Sequence, residues 1–187
     1  MDTGVVIALV VAALLLVTAL AAWAWMRRRR TLRLRREFGP EYREAVAHAQ
    51  SQGQAESELE RRRERVEKLH IVPLEPREAG RLTANWSEIQ SYFVDEPEQS
   101  MKQADSLVRE VMQLRGYPMA DFEQRAADLS VDHPSVVSRY RTAREISLRN
   151  ELGEATTEDL RNAFLNYREL FNELLETETK AGQPQAS

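Results

Sequence analysis

The chain contains no cysteine. Disulfide bonds, thiolate zinc sites and cysteine nucleophiles are therefore excluded as sources of stability or of chemistry. The absence is compatible with a reducing compartment, where structural disulfides are rare.

Glycine and histidine are also scarce. The seven glycines among the 187 residues stand singly, so there is no glycine-rich phosphate loop. The HExxH and GxSxG motifs are missing as well. Three histidines are the whole supply of imidazole for acid–base or metal chemistry. We therefore expect no cofactor and no enzymatic activity.

Charge is absent from one long stretch near the beginning of the chain. The segment GVVIALVVAALLLVTALAAWAWM, from Gly4 to Met26, carries no charged side chain. A helix that crosses a hydrocarbon core of about 30 Å needs about 20 apolar residues. Trp23 and Trp25 stand at its end, where aromatic side chains favour the membrane interface. The segment predicts a transmembrane helix within residues 1–26.

A run of arginines follows this segment directly. The seven are Arg27, Arg28, Arg29, Arg30, Arg33, Arg35 and Arg36. Basic clusters beside a span remain in the cytoplasm, so we expect the N-terminus outside and the rest inside. They set topology and anchor the chain, and they can also contact anionic lipid headgroups. The alternative is a cleavable signal peptide with ALA at Ala19–Ala21 as the cleavage site; the missing basic n-region and the long apolar run argue against it.

The remainder of the chain is acidic. Residues 37–187 carry 19 Lys and Arg against 29 Asp and Glu, whereas the net charge of the whole chain is −4. Nucleic-acid binding depends on cationic contacts with phosphates. We therefore exclude DNA and RNA as partners of this region.

Proline, glycine and charge patterns divide the chain into segments. We predict a transmembrane helix (1–26), a basic juxtamembrane segment (27–39), a charged linker helix (40–70), a proline-containing linker (71–77), a helical domain (78–176) and a disordered tail (177–187). The linker helix has a thin apolar stripe, so three alternatives remain for it: a solvated stalk, a weak coiled coil, or a helix docked on the domain.

Apolar side chains of the predicted domain recur with helical spacing. The stripes are Leu82, Trp86, Ile89 and Phe93; Met101, Ala104, Val108 and Val111; and Leu160, Phe164, Tyr167, Phe171 and Leu174. No segment alternates as a strand would. The predicted fold class is all-α, with a bundle-like domain of four or five helices after the transmembrane and linker helices.

Capping residues predict the helix limits. Asp95 is expected to cap the helix that follows it, and Gly116 to end that helix. A short helix is expected around residues 120–129, and Asp132 is expected to cap the next one, which Pro134 opens. Thr156 and Asp159 form a shortened capping box before the last helix.

Four strings carry a resemblance to a known group. FGPEY, RVEKLHI, DFEQRAADLSVDHP and TEDLR resemble sequences of a group of uncharacterised bacterial proteins. The group has one N-terminal transmembrane helix and a helical domain. The resemblance implies bacterial origin and a membrane anchor, and it transfers no catalytic or binding residues.

The stretch RGYPMADFEQRAADLSVDHPSVV gathers polar side chains between two helices. Its candidate partner surface consists of Asp121, Glu123, Asp128, Asp132 and His133, with His133 expected to be exposed. Asp128, Asp132 and His133 are also residue types that serve metal binding or acid–base catalysis. Helix capping and the helix dipole offer a simpler use for the acids, so a structural elbow is the preferred interpretation.

The sequence thus favours a non-enzymatic protein-interaction or scaffold module anchored to the inner bacterial membrane, with an unknown protein partner. A self-assembling structural membrane protein, hence a homo-oligomer, is the alternative. A metal-binding or hydrolytic enzyme using Asp128, Asp132 and His133 is a third hypothesis.

Overall fold

The computed structural model describes residues 3–181, and within them the chain is helical, with no strand. This confirms the predicted all-α class. The seven helices are α1 (Thr3–His48), α2 (Gln52–Val66), α3 (Pro76–Tyr92), α4 (Pro97–Leu114), α5 (Phe122–Asp132), α6 (Val137–Glu151) and α7 (Thr157–Ala181).

The first half of α1 is an apolar rod. Its described side chains between residues 11 and 26 are all exposed, including four consecutive large aliphatic ones at residues 14–17. Among the described residues, this is the one helix that is long and apolar enough to cross a membrane.

A sharp bend divides α1 near its end. Gly39 has φ 46° and ψ −118°, a conformation that side chains with a Cβ rarely adopt, and Pro40 follows it. The break predicted at this pair is therefore confirmed. The helix predicted for residues 40–70 is wrong in one respect, because it is interrupted at residues 49–51. Ser51 caps α2 there by accepting a hydrogen bond from the backbone N–H of Gln54.

After the bend at Gly39, the last part of α1 (residues 40–48) and α2 fold back onto the part of α1 before the bend, and together they form a compact unit. Glu41 meets Arg62 and Tyr42 meets Glu56, so residues 40–48 run antiparallel to α2. A small apolar cluster lies between the three segments, formed by Leu34, Phe38, Tyr42 and Leu59, with Val131 of α5 packed against it. Of the three alternatives for the charged linker helix, the docked helix is the observed one.

The main core lies between α3, α4, α6 and α7. Trp86 stacks between Phe164 and Phe171, with ring centroids 5.1 and 4.9 Å away. Nearly all residues of the three predicted stripes belong to this core, and Phe93 packs partly buried against it. Helical periodicity therefore identified the core-facing sides of α3, α4 and α7.

Helix ends follow the predictions in part. Thr156 and Asp159 cap α7 reciprocally: the Thr156 hydroxyl accepts from the Asp159 N–H at 3.1 Å, and the Asp159 carboxylate accepts from the Thr156 N–H at 2.8 Å. Asp95 is not the cap of α4, because Glu96 occupies that position and Pro97 begins the helix. Gly116, with φ 93°, ends α4 as expected.

The end of α7 also differs from the prediction. The helix continues to Ala181, so residues 177–181 of the predicted tail are helical. Residues 182–187 lie outside the described residues. At the other end of the bundle, α3 begins at Pro76, inside the predicted linker, because proline is accommodated at the first helical position.

Candidate functional site

The elbow between α4 and α6 holds the five predicted surface residues. It begins at Gly116, where an added Cβ would collide with the backbone oxygen of His70 in the preceding linker. A hydrogen bond also holds the linker here, since the Val72 N–H donates to the carbonyl of Arg115, the residue before Gly116, at 2.9 Å. The start of the elbow therefore packs directly against the backbone of residues 70–72.

The start of α5 explains two of the acids. The Asp121 carboxylate accepts a hydrogen bond from the Gln124 N–H at 2.9 Å, which makes Asp121 the N-cap. Glu123 lies in the first turn, where a negative charge is favoured by the helix dipole. Both side chains are exposed. They remain available for a partner while stabilising the helix start.

Asp128 faces inwards. Its side chain is 1% exposed, and one carboxylate oxygen accepts from Arg65 Nε and from Gln124 Nε2, both at 2.8 Å. Arg65 belongs to α2, so this ion pair joins the compact unit of α1 and α2 to the elbow. Asp128 is therefore a fastening residue inside the protein and not part of its surface.

Asp132 does not cap α6, which corrects the prediction. α5 continues to Asp132, and α6 begins at Val137 behind a non-helical His133. The Asp132 carboxylate instead accepts a hydrogen bond from the Tyr117 hydroxyl at 2.7 Å. Burial, and then the Asp132 charge, raise the pKa of Tyr117 far above its usual value. The phenol therefore stays protonated as a donor at any physiological pH.

His133 is buried, contrary to the expectation of an exposed imidazole. Its relative exposure is 1%, because it follows α5 directly and packs towards α7. Its Nδ1 lies 3.4 Å from Glu173 Oε1. Burial lowers the pKa of His133, and the Glu173 hydrogen bond opposes that effect without cancelling it. The imidazole is consequently held neutral inside the elbow.

The five residues do not converge on one point. Asp121, Glu123 and Asp132 are exposed, whereas Asp128 is directed towards α2 and His133 towards α7. In the described part of the chain, no three His, Asp or Glu side chains are arranged to hold a metal ion. The arrangement suits a rigid junction with an acidic outer edge.

The predicted arginine segment forms the C-terminal continuation of the apolar rod. Arg30 pairs with Glu60 at 2.7 Å and Arg33 with the same carboxylate at 3.5 Å. Arg27 lies over the Trp23 ring at 5.4 Å and Arg29 over the Trp25 ring at 3.6 Å. The seven arginines therefore have different surroundings, which their uniform sequence does not reveal.

Three acids of the compact unit of α1 and α2 were not identified from the sequence. Glu56 is buried and accepts hydrogen bonds from Thr31, Tyr42 and Gln52 at 2.7 to 2.8 Å. Burial opposes its charge, but these hydrogen bonds outweigh burial and lower the pKa of Glu56. Glu60 holds two arginines of α1. The spacing of four between Glu56 and Glu60 was the available signal, since it places both on one side of α2.

Glu41 is the third of these acids and is as deeply buried as Glu56. It is 3% exposed and pairs with Arg62 of α2 and Arg141 of α6. The Arg141 contact is bidentate, at 2.6 and 2.8 Å. Glu41 thereby ties the bend of α1 to the bundle.

Comparison with known proteins supplies no relative for this arrangement: no family model, no curated protein and no solved structure matches the chain.

Proposed function

We propose that this protein is a membrane-anchored, non-enzymatic scaffold that holds a helical protein-interaction domain on the inner face of a bacterial membrane. The observation that carries the proposal is the course of α1. Its apolar residues 11–26 are exposed, and the same helix continues to Leu34 and Phe38, which are fully buried in the apolar cluster shared with α2. The apolar rod is thus joined to the domain by packed helix and not by a flexible tether.

This connection has a mechanical consequence. Residues 27–38 extend the helix by about 18 Å beyond the apolar segment, at about 1.5 Å per residue. Glu56 of α2 accepts a hydrogen bond from Thr31 of this extension. Just beyond the bend, Glu41 pairs with Arg141 of α6, and Asp128 of α5 pairs with α2. A domain fixed in this way presents the same side to a neighbour in the membrane, and tethering raises its effective concentration there.

The arginines favour a cytoplasmic domain. Seven positive charges follow the apolar rod within ten residues, and such clusters are retained on the inner side during insertion. The exposed acids Asp121, Glu123 and Asp132 form the proposed partner surface. Asp128 and His133 contribute by fixing that surface from within.

The other two hypotheses have less support. Self-association through the 40–70 region would use its apolar stripe, but Tyr42 and Leu59 of that stripe are buried within one chain. Hydrolysis or metal binding would need Asp128, Asp132 and His133 to share a solvent-accessible site, and their side chains are directed to three different elements.

The proposal is tested by in-cell photo-crosslinking. A photoreactive amino acid is placed at Glu123, on the outer edge of the elbow, and at Lys102, an exposed position of α4, as a matched control. We expect one reproducible set of membrane-associated neighbours from Glu123 and not from Lys102. Identical capture at both positions would contradict a specific partner surface.

A second arm tests the anchor. A reporter that is active only outside the cytoplasm is fused after the last residue, and a cytoplasmic reporter is fused in parallel. We expect activity of the cytoplasmic reporter and resistance of the protein to carbonate extraction. Activity of the external reporter would overturn the orientation, and extraction by carbonate would overturn the anchor.

A further inference from the structure

The arginine segment of α1 has two chemically different sides. We call the inner side the face that packs on the protein, formed by Arg30, Thr31, Leu34 and Phe38. The outer side is the opposite face, formed by Trp25, Arg29, Leu32 and Arg36 at spacings of four, three and four. Such spacing places residues on one face of an α-helix. Leu34 and Phe38 are fully buried, whereas Leu32 is 45% exposed.

Two arginines on and beside the inner side are already paired with a carboxylate of the protein. Glu60 holds Arg30 at 2.7 Å and Arg33, on the flank, at 3.5 Å. Glu56 accepts the Thr31 hydroxyl at 2.7 Å, and Glu37 lies 3.8 Å from Arg63. A further anion on this side would have to displace a carboxylate.

The outer side carries cations without carboxylate partners. Among the described side chains, neither Arg29 nor Arg36 forms an ion pair, and both are exposed. Arg29 is stacked over Trp25 at 3.6 Å, which orders its guanidinium. Leu32 lies between the two arginines, and Met26, 57% exposed, adjoins them. These four residues line one edge of an open groove that adjoins the apolar rod, and the paired residues Arg30, Arg33 and Glu37 line the other edge.

We propose that the outer side is a docking surface for anionic phospholipid headgroups; this inference rests on the proposed membrane anchoring. Alternating guanidinium and apolar groups match a bilayer interface, where headgroups accept hydrogen bonds and acyl chains accept the leucine. Arginine forms bidentate contacts with phosphate. A second copy of the chain is disfavoured as occupant, because it would bring the same unneutralised arginines into contact.

The distance from the apolar segment to Arg36 limits how α1 can be oriented relative to the bilayer. Arg36 lies ten residues after Met26, about 15 Å along the axis, whereas a headgroup layer is roughly 5–7 Å thick on each side. An upright helix would leave Arg36 in water. The average tilt of about 20° shortens this rise only to about 14 Å, so the long arginine side chain, reaching back towards the membrane on the tilted side, provides most of the approach to the headgroups. α1 therefore leans on its outer side, and α2 lies on the side away from the membrane.

Two tryptophans on opposite faces of α1 make the proposal measurable. Trp25 belongs to the outer side, whereas Trp23 lines a cleft with Gly53 and Glu56 of α2. Trp86 is 5% exposed in the bundle core and gives a constant background. The full chain is reconstituted into phosphatidylcholine bilayers containing brominated phosphatidylglycerol or brominated phosphatidylcholine, and tryptophan quenching is compared. Trp23→Phe leaves Trp25 as reporter, and Trp25→Phe leaves Trp23.

We expect phosphatidylglycerol to quench the Trp25 reporter more strongly than phosphatidylcholine does. The Trp23 reporter has one cation beside it, Arg27 at 5.4 Å, and should show a smaller preference. The double variant Arg29→Gln with Arg36→Gln should abolish this preference. Each arginine is expected to contribute about fivefold in relative affinity for the anionic lipid, because a basic residue near an anionic surface contributes about 1 kcal/mol and about 1.4 kcal/mol is tenfold. The matched control, Arg30→Gln with Arg33→Gln, removes the same amount of charge, and the Trp25 reporter should retain its preference for phosphatidylglycerol.

Four outcomes would contradict the inference or the membrane anchoring on which it rests. Equal loss in both double variants would show that net charge alone attracts the lipid. Equal quenching of the Trp25 reporter by the two lipids would show that no headgroup preference exists. If the chain is extracted by carbonate and not reconstituted, the membrane proposal itself fails. Circular dichroism of each variant confirms that helix content is unchanged. A Glu60→Gln variant, which releases Arg30 and Arg33, should increase the preference at the Trp23 reporter, and an unchanged preference there would contradict the difference between the two sides.

Discussion

Replacing Glu41 by glutamine tests whether the bend of α1 is fastened by charge. The Glu41 carboxylate is 3% exposed and lies 2.9 Å from Arg62 Nη1 and 2.6 and 2.8 Å from the two terminal nitrogens of Arg141. The hydrogen bond to Glu41 raises the pKa of Arg141. Glutamine keeps the shape and one acceptor oxygen, so the substitution removes charge without opening a cavity.

The expected cost follows from what is left behind. Removing one partner of a buried ion pair costs about 3–5 kcal/mol, because the other charge stays uncompensated. The Arg62 and Arg141 side chains are 16% and 27% exposed, so water reaches them in part. We therefore expect a loss of about 2–4 kcal/mol in the free energy of unfolding, below the fully buried figure. For a chain of this size that corresponds to roughly 5–15 °C in melting temperature.

The assay is urea unfolding of the full chain in detergent, followed by circular dichroism at pH 7.5. The matched control is Glu44→Gln, one turn further along α1, whose side chain is 54% exposed and lies 3.4 Å from His48. Exposed substitutions of this kind stay within about 0.5 kcal/mol. If Glu41→Gln costs no more than Glu44→Gln, the ion pairs do not fasten the bend and the reasoning is refuted.

Two further predictions concern the elbow and a glycine. Because burial lowers the pKa of His133 below its usual 6.5, the unfolded chain binds this proton more readily, so stability should fall as pH drops from about 7.5 to about 5.5. His133→Gln should reduce this slope in urea titrations, and an unchanged slope would exclude His133 as its source. Gly116→Ala should cost at least about 1 kcal/mol more than Gly153→Ala in the same assay. Both glycines have positive φ, but only at Gly116 would a Cβ meet backbone; equal costs would contradict that contact.

Helix positions were largely predictable because their signals are local. The spacing of Leu82, Trp86 and Ile89 follows from the 3.6-residue turn, and all three are buried as predicted. The capping pair Thr156 and Asp159 needs no partner from elsewhere in the chain, and it forms as predicted. Such features survive any tertiary arrangement.

Predictions that depend on a distant partner were less successful. Asp132 is a plausible cap by sequence, but its carboxylate accepts a hydrogen bond from the hydroxyl of Tyr117, which follows the end of α4. His133 was expected to be exposed in a polar stretch between two helices, yet it is 1% exposed and its Nδ1 lies 3.4 Å from Glu173 of α7. Sequence proximity reports which residues are near in the chain and not which helix covers them.

The arginine segment shows most clearly the difference between what the local sequence predicts and what contacts with distant residues decide. Composition alone determined that a basic run follows an apolar helix, because charge and length are properties of the chain itself. Which arginines remain available was decided only when residues 40–48 turned back at Gly39 and brought Glu60 against Arg30 and Arg33. A bend at one residue redirects the following helix, and side chains 30 residues apart then meet. The sequence determined the helices and the charge of each segment, whereas the tertiary structure decided which charges neutralise one another and which face outwards.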